Sequence, residues 1–153
     1  MAAEAPTVHA SAVLPGARAV LIRGPAGAGK SQLALALLHA ADTGLLQFAR
    51  LVGDDRLHLE ACHGRLLVRP AASLAGLIEV RGLGIRRLSF EPVAVVGLVI
   101  DLAADDAERL PAAAGREALI SGISLPRLAV ASGIDPLPAV LALLGTGDNG
   151  SRH

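Results

Sequence analysis

Gly24-Pro25-Ala26-Gly27-Ala28-Gly29-Lys30-Ser31 reads G-x-x-x-x-G-K-S, the pattern of a phosphate-binding loop. Each residue type has a physical reason. Gly27 and Gly29 reach backbone angles closed to other residues, so successive N–H groups turn inward around phosphate oxygens. Lys30 brings a mobile point charge for the β- and γ-phosphates, and the Ser31 hydroxyl is a hard oxygen donor suited to Mg²⁺. The expected nucleotide-binding set is therefore Gly24, Pro25, Ala26, Gly27, Ala28, Gly29, Lys30 and Ser31.

The flanks supply the context the loop needs. Ala19-Val20-Leu21-Ile22 is a short apolar run that predicts a buried strand. From Lys30 to Ala41, Leu33, Ala34, Leu37 and Leu38 recur at helical spacing. A helix starting there adds its positive end to the anion site.

At 153 residues the chain predicts one domain with a sizeable core. Fourteen basic residues balance fourteen acidic ones, which gives no support to nucleic acid or an anionic membrane as partner. The one cysteine, Cys62, excludes an internal disulfide framework and predicts a reducing, cytoplasmic setting. No apolar run approaches the ~18 residues of a membrane span. Met1–Pro15 lacks the basic start and apolar stretch of a signal peptide. Alanine-rich, positive mean hydropathy hints at apolar surface for self-association.

Along the chain, residues 1–7 read as a flexible end, 8–145 as the folded domain and 146–153 as a flexible tail. Val8 to Leu14 predicts a strand carrying His9. Ala49 to Val52 predicts another, ending at Gly53-Asp54-Asp55. Adjacent carboxylates at a strand end suit metal and proton handling, one near Mg²⁺ and one near an attacking hydroxyl. Gly-Asp-Asp is equally ordinary turn chemistry. Arg56 to Val68 predicts a hairpin turning at His63-Gly64. His58, Cys62 and His63 fit no zinc spacing and read as hairpin residues. Ile78 to Ile85 carries Glu79 and Arg81 on one side of an extended run, with glycines after them. Val93 to Leu102 predicts a central buried strand. Ala118 to Val130 predicts a hairpin around Ser121-Gly122, with Pro126 restricting its second strand to an edge or bulge. Asp135-Pro136 starts a last helix.

These residues, in this order, resemble the HPr kinase/phosphorylase family. His9 and its spacing to the loop, the loop itself, Val52-Gly53-Asp54-Asp55 and above all Glu79-Val80-Arg81-Gly82-Leu83-Gly84-Ile85 carry the resemblance, which covers roughly residues 8 to 128. It implies an α/β, P-loop-containing HPr kinase-like (PEP carboxykinase-like) catalytic domain with a mixed sheet, in the family's short form. It implies a serine kinase using ATP and Mg²⁺, with pyrophosphate as an alternative donor, and HPr or an HPr-like phosphocarrier of a phosphotransferase system as protein substrate. Family members form hexamers, so a homo-oligomer is implied as well. Carried over by position, His9 lies near the transferred phosphate, Lys30 holds the phosphates, and Ser31 and Glu79 serve Mg²⁺. Asp55 is the general base with Asp54 in support, and Arg109 is the active-site arginine. The family's Arg-Pro-Gly-Arg-Asn segment has no counterpart after Leu125-Pro126-Arg127, so the kinase direction is expected without the reverse reaction. A nucleotide-sensing module with little transfer is the alternative reading.

Overall fold

The computed structural model describes residues 5–107 and 113–146. In chain order come β1 (Val8–His9), β2 (Ser11–Leu14), β3 (Ala19–Arg23) and α1 (Lys30–Asp42). Then follow β4 (Arg50–Gly53), β5 (Arg56–Cys62), β6 (Arg65–Pro70), β7 (Leu77–Val80), β8 (Gly84–Arg87) and β9 (Ala94–Asp101). β10 (Glu117–Ile120), β11 (Ile123–Ala129) and α2 (Leu137–Thr146) close the fold. The main sheet runs β1-β5-β6-β9-β3-β2-β4, with β11 on β9 and β10 beyond it. β7 and β8 form a separate hairpin. The sheet is mixed: β9 lies parallel to β3 and β11 and antiparallel to β6. This is the α/β, mixed-sheet class expected.

Both faces of β3 are covered, which explains its unbroken apolar run. Val20 and Ile22 join the core formed with α1 and α2, while Ala19 and Leu21 join a second core with β5, β6 and β9. In α1, Leu33, Ala34, Leu37 and Ala40 are the buried stripe, set by the 3.6-residue period. Asp135 Oδ1 accepts a hydrogen bond from the Leu137 N–H at 3.1 Å, capping α2 where Asp135-Pro136 predicted a start.

Three expectations change. The strand predicted from Val8 to Leu14 is broken at Ala10, because its halves pair with different partners. β1 pairs with β5 through Val8↔Leu57 and His9↔Arg56, whereas β2 pairs with β3 and β4. The stretch from Ile78 to Ile85 is a hairpin rather than one extended run, with Glu79 opposite Ile85, Gly82 at positive φ in the turn and Gly84 at positive φ opening β8. β11 is not an edge strand. It lies between β10 and β9, and Pro126 is tolerated because the β9 ladder begins only at Arg127. Arg109 lies outside the described residues, as does the tail beyond Thr146.

Candidate functional site

The phosphate loop bridges the end of β3 and the start of α1 at the rim of a cleft of about 700 Å³. Its base is fixed by backbone: the Leu102 N–H donates to Arg23 O at 2.9 Å. A Cβ on Gly24 would come within 3.2 Å of Ala28 and Leu102, so the loop passes close to both here. Gly27 has φ +82°, and a Cβ there would meet nothing within 4 Å. Gly29 is the N-cap of α1 at φ +101°, with no side chain capping the helix. The first-turn amides therefore carry no side-chain acceptor and suit an anion. The Lys30 ammonium lies over the loop, donating to Gly24 O at 2.7 Å and Pro25 O at 3.1 Å. An open concavity of amides, a lysine and small residues fits a polyphosphate.

The two carboxylates at the end of β4 occupy contrasting surroundings. Asp54 is 4% exposed. Its Oδ1 accepts from Ser11 Oγ at 2.6 Å and Ser31 Oγ at 2.8 Å, and Oδ2 lies 2.9 Å from Ser31 Oγ. The Glu79 N–H reaches Oδ2 at 3.4 Å. The Ser31 hydroxyl and the Asp54 carboxylate thus bring hard oxygens to one place, and Glu79 lines the same pocket. That donor set suits Mg²⁺, which takes few protein ligands and completes its shell with water and phosphate. Among the described residues no group of three or more His, Cys, Asp or Glu is arranged for a metal ion. Asp55 turns the other way, at φ +72°. It is exposed, and its Oδ1 lies 3.6 Å from His9 Nδ1. Both side chains line the same cleft as the loop.

The structure thus gathers His9, Lys30, Ser31, Asp55 and Glu79 around one opening, with Asp54 buried beneath Ser31. The break between β1 and β2 makes this arrangement: β1 carries His9 out to β5 beside Asp55, while β2 keeps Ser11 under Asp54. Ser11 was missed in sequence because a buried serine on an apolar strand carries no signal of its own. Gln32 and Arg81 also line the cleft. The helical pattern gives Gln32 only the exposed side of the first turn.

A charged clamp braces the loop from behind. Arg23, the residue before Gly24, donates to Asp101 through Nε at 2.7 Å and Nη2 at 2.8 Å. Arg127 Nε donates to Asp101 at 2.6 Å, and its Nη atoms reach Asp106 at 2.9 Å. Burial penalises the Asp101 charge, but hydrogen bonds from Arg23 and Arg127, with the charges of both, outweigh it and hold the carboxyl below its usual value. The bond to Asp106, then that to Asp101, raises Arg127 above the ordinary arginine value. No helix among the described residues is long and apolar enough to cross a membrane.

This site and fold have relatives. The chain is 39% identical over 66 residues to an HPr kinase/phosphorylase of Clostridium beijerinckii, covering 43% of this chain and 20% of that protein. It is 40% identical over 84 residues to an HPr kinase/phosphorylase of Streptococcus thermophilus, covering 54% of this chain and 25% of that one. The matched stretches thus span a quarter or less of these relatives' lengths. In three dimensions the chain is similar to the Hpr(Ser) kinase/phosphatase from Coxiella burnetii, with a TM-score of 0.73 and 28% identity, over 93% of this chain and 95% of the other. The family described as HPr Serine kinase C-terminal domain matches residues 2–123, most of the molecule and every described residue of the cleft, and the chain belongs to it.

Proposed function

We propose that the protein is an ATP- and Mg²⁺-dependent protein-serine kinase whose acceptor is HPr or an HPr-like phosphocarrier in the cytoplasm. The observation that carries this reading is the division of the aspartate pair. Asp54 is buried against the loop serine, while Asp55 stands exposed beside His9 in the same cleft. A phosphate site needs the first. An incoming hydroxyl needs the second, a carboxylate open to solvent and within reach of the donor.

Bound Mg²⁺ supplies charge neutralisation on the β- and γ-phosphates. The chain's own residues do the rest. The loop amides and Lys30 would hold the phosphates, and the Ser31 hydroxyl, with Asp54 beneath it and Glu79 beside it, would hold the metal. Asp55 takes the proton of the acceptor serine as it attacks, with His9 at its side. Phosphoryl transfer has a loose transition state, so placement and charge compensation are most of what a protein must provide.

The test is transfer of labelled γ-phosphate from ATP to purified HPr-type carriers, each beside its target-serine-to-alanine variant. Label on the former and none on the latter is expected. A second reading rests on one sequence feature: no Arg-Pro-Gly-Arg-Asn segment follows Leu125-Pro126-Arg127, and the chain runs instead into Ala129-Val130-Ala131-Ser132-Gly133. On that reading the chain is a nucleotide-sensing module. Intact nucleotide binding by calorimetry with no labelled carrier would establish it instead.

A further inference from the structure

We propose that Arg81 is a phosphate-directed cation of this site, aimed by Gln32, and that it reads the terminal phosphate of the bound nucleotide. The proposal deepens the kinase reading and rests on its nucleotide-binding half, not on the identity of the acceptor.

Arg81 begins the turn of the β7–β8 hairpin, and its side chain lines the cleft with the loop, Lys30 and Glu79. With the Gln32 amide turned so that its oxygen faces the guanidinium, that oxygen lies 2.9 Å from Arg81 Nη2, 3.1 Å from Nη1 and 3.2 Å from Nε, which sets it over the guanidinium face. Gln32 follows Ser31 in the first turn of α1, and its terminal amide lies 3.0 Å from where a Cβ on Gly29 would stand. One side-chain pair therefore joins the hairpin to the phosphate loop and sets a guanidinium beside it.

The identity of the partner matters. Arg23, Arg50, Arg69 and Arg127 each have a carboxylate within 3.7 Å. Arg81 has no such partner among the described residues, although Asp55 and Glu79 line the same cleft. A neutral amide fixes the orientation of a guanidinium without cancelling its charge. Arginine carries five N–H donors in the plane of a rigid fork, and an amide oxygen over its face leaves those in-plane donors for an anion. A fork of this kind suits the outermost phosphate, which bears the most charge and presents several oxygens together. Lys30, lying on the loop carbonyls, serves the phosphate chain as a whole.

The experiment compares binding of ADP and of a non-hydrolysable ATP analogue, with Mg²⁺, by calorimetry, so that transfer activity plays no part. The wild-type protein is expected to prefer the triphosphate. Arg81→Ala should weaken triphosphate binding by roughly tenfold or more, the size of one lost charge-assisted contact, and leave ADP binding within about threefold. Arg81→Lys should fall between, keeping charge but not the fork. Gln32→Ala should shift the same ratio by less, with the melting temperature unchanged. Lys30→Ala should weaken both nucleotides. Equal weakening of both nucleotides by Arg81→Ala, or no change in either, overturns the inference while leaving the kinase reading in place. A wild-type protein that binds neither nucleotide overturns both.

Discussion

Two neighbouring aspartates separate folding from chemistry. Asp54 is almost fully buried and accepts from two serine hydroxyls. Asp54→Ala leaves the Ser11 and Ser31 hydroxyls without their acceptor, at a cost of about 1–3 kcal/mol in stability, and weakens Mg²⁺-dependent nucleotide binding as well. Asp55 is 65% exposed and makes one loose contact with His9. Its φ of +72° is one that asparagine also tolerates. Asp55→Asn is therefore expected to keep stability within about 0.5 kcal/mol while transfer falls by roughly 10²–10⁴-fold. Urea denaturation beside a phosphotransfer assay reads both quantities, and wild-type transfer in Asp55→Asn would remove it as the base. The pair was legible in sequence, because Gly-Asp-Asp closes an apolar strand in a chain that also holds a phosphate loop. Which aspartate lies inward was not. That depends on Ser11 and Ser31, which stand 43 and 23 residues from Asp54 along the chain: Ser11 reaches it through the pairing of β2 with β4, and Ser31 from the first turn of α1.

The elements whose signals are local were read well. The loop, α1, the hairpin turning at His63-Gly64 and the apolar β9 each announce themselves through glycine placement or periodicity. What failed was neighbour choice, a matter of long-range pairing. Nothing in Val8–Leu14 states that its halves join different strands, and nothing near Pro126 states that the ladder with β9 begins one residue after it. The joint between β4 and β5 shows how tightly such neighbours constrain the site. A Cβ added to Gly53 would meet Leu57 Cδ2 at 2.5 Å, on β5 just after the Asp54-Asp55 turn, and Pro70 Cβ at 3.0 Å, at the end of β6. Gly53→Ala is expected to cost about 1–3 kcal/mol, as overpacking does. Because the next residue is Asp54, it should also weaken Mg²⁺-dependent nucleotide binding. A variant of wild-type stability in a denaturant titration would show that β4 and β5 separate at little cost, so that the aspartate turn is not held from below.

At the scale of the molecule, the site lies where the two cores meet. α1 and α2 cover one face of β3 and β9, and β5 and β6 close over the other. The loop leaves β3 at the seam between them, braced behind by Arg23 and Asp101. Its two anchors, β3 and α1, are buried framework, so an anion held by the loop stabilises parts of the fold that open only on global unfolding. Binding there is accordingly expected to appear in full as stability. With Mg²⁺ and ATP at about 100 times the dissociation constant, the gain is about 2.7 kcal/mol. For a chain of this length that raises the melting temperature by roughly 5–10 °C. Lys30→Ala should melt near the unliganded wild-type temperature and show little of the shift, because the Lys30 ammonium donates to loop carbonyls rather than to a buried partner. A Lys30→Ala protein that melts as before and still shifts by the wild-type amount with MgATP would place the nucleotide somewhere other than this loop. The cleft at the seam would then need another ligand.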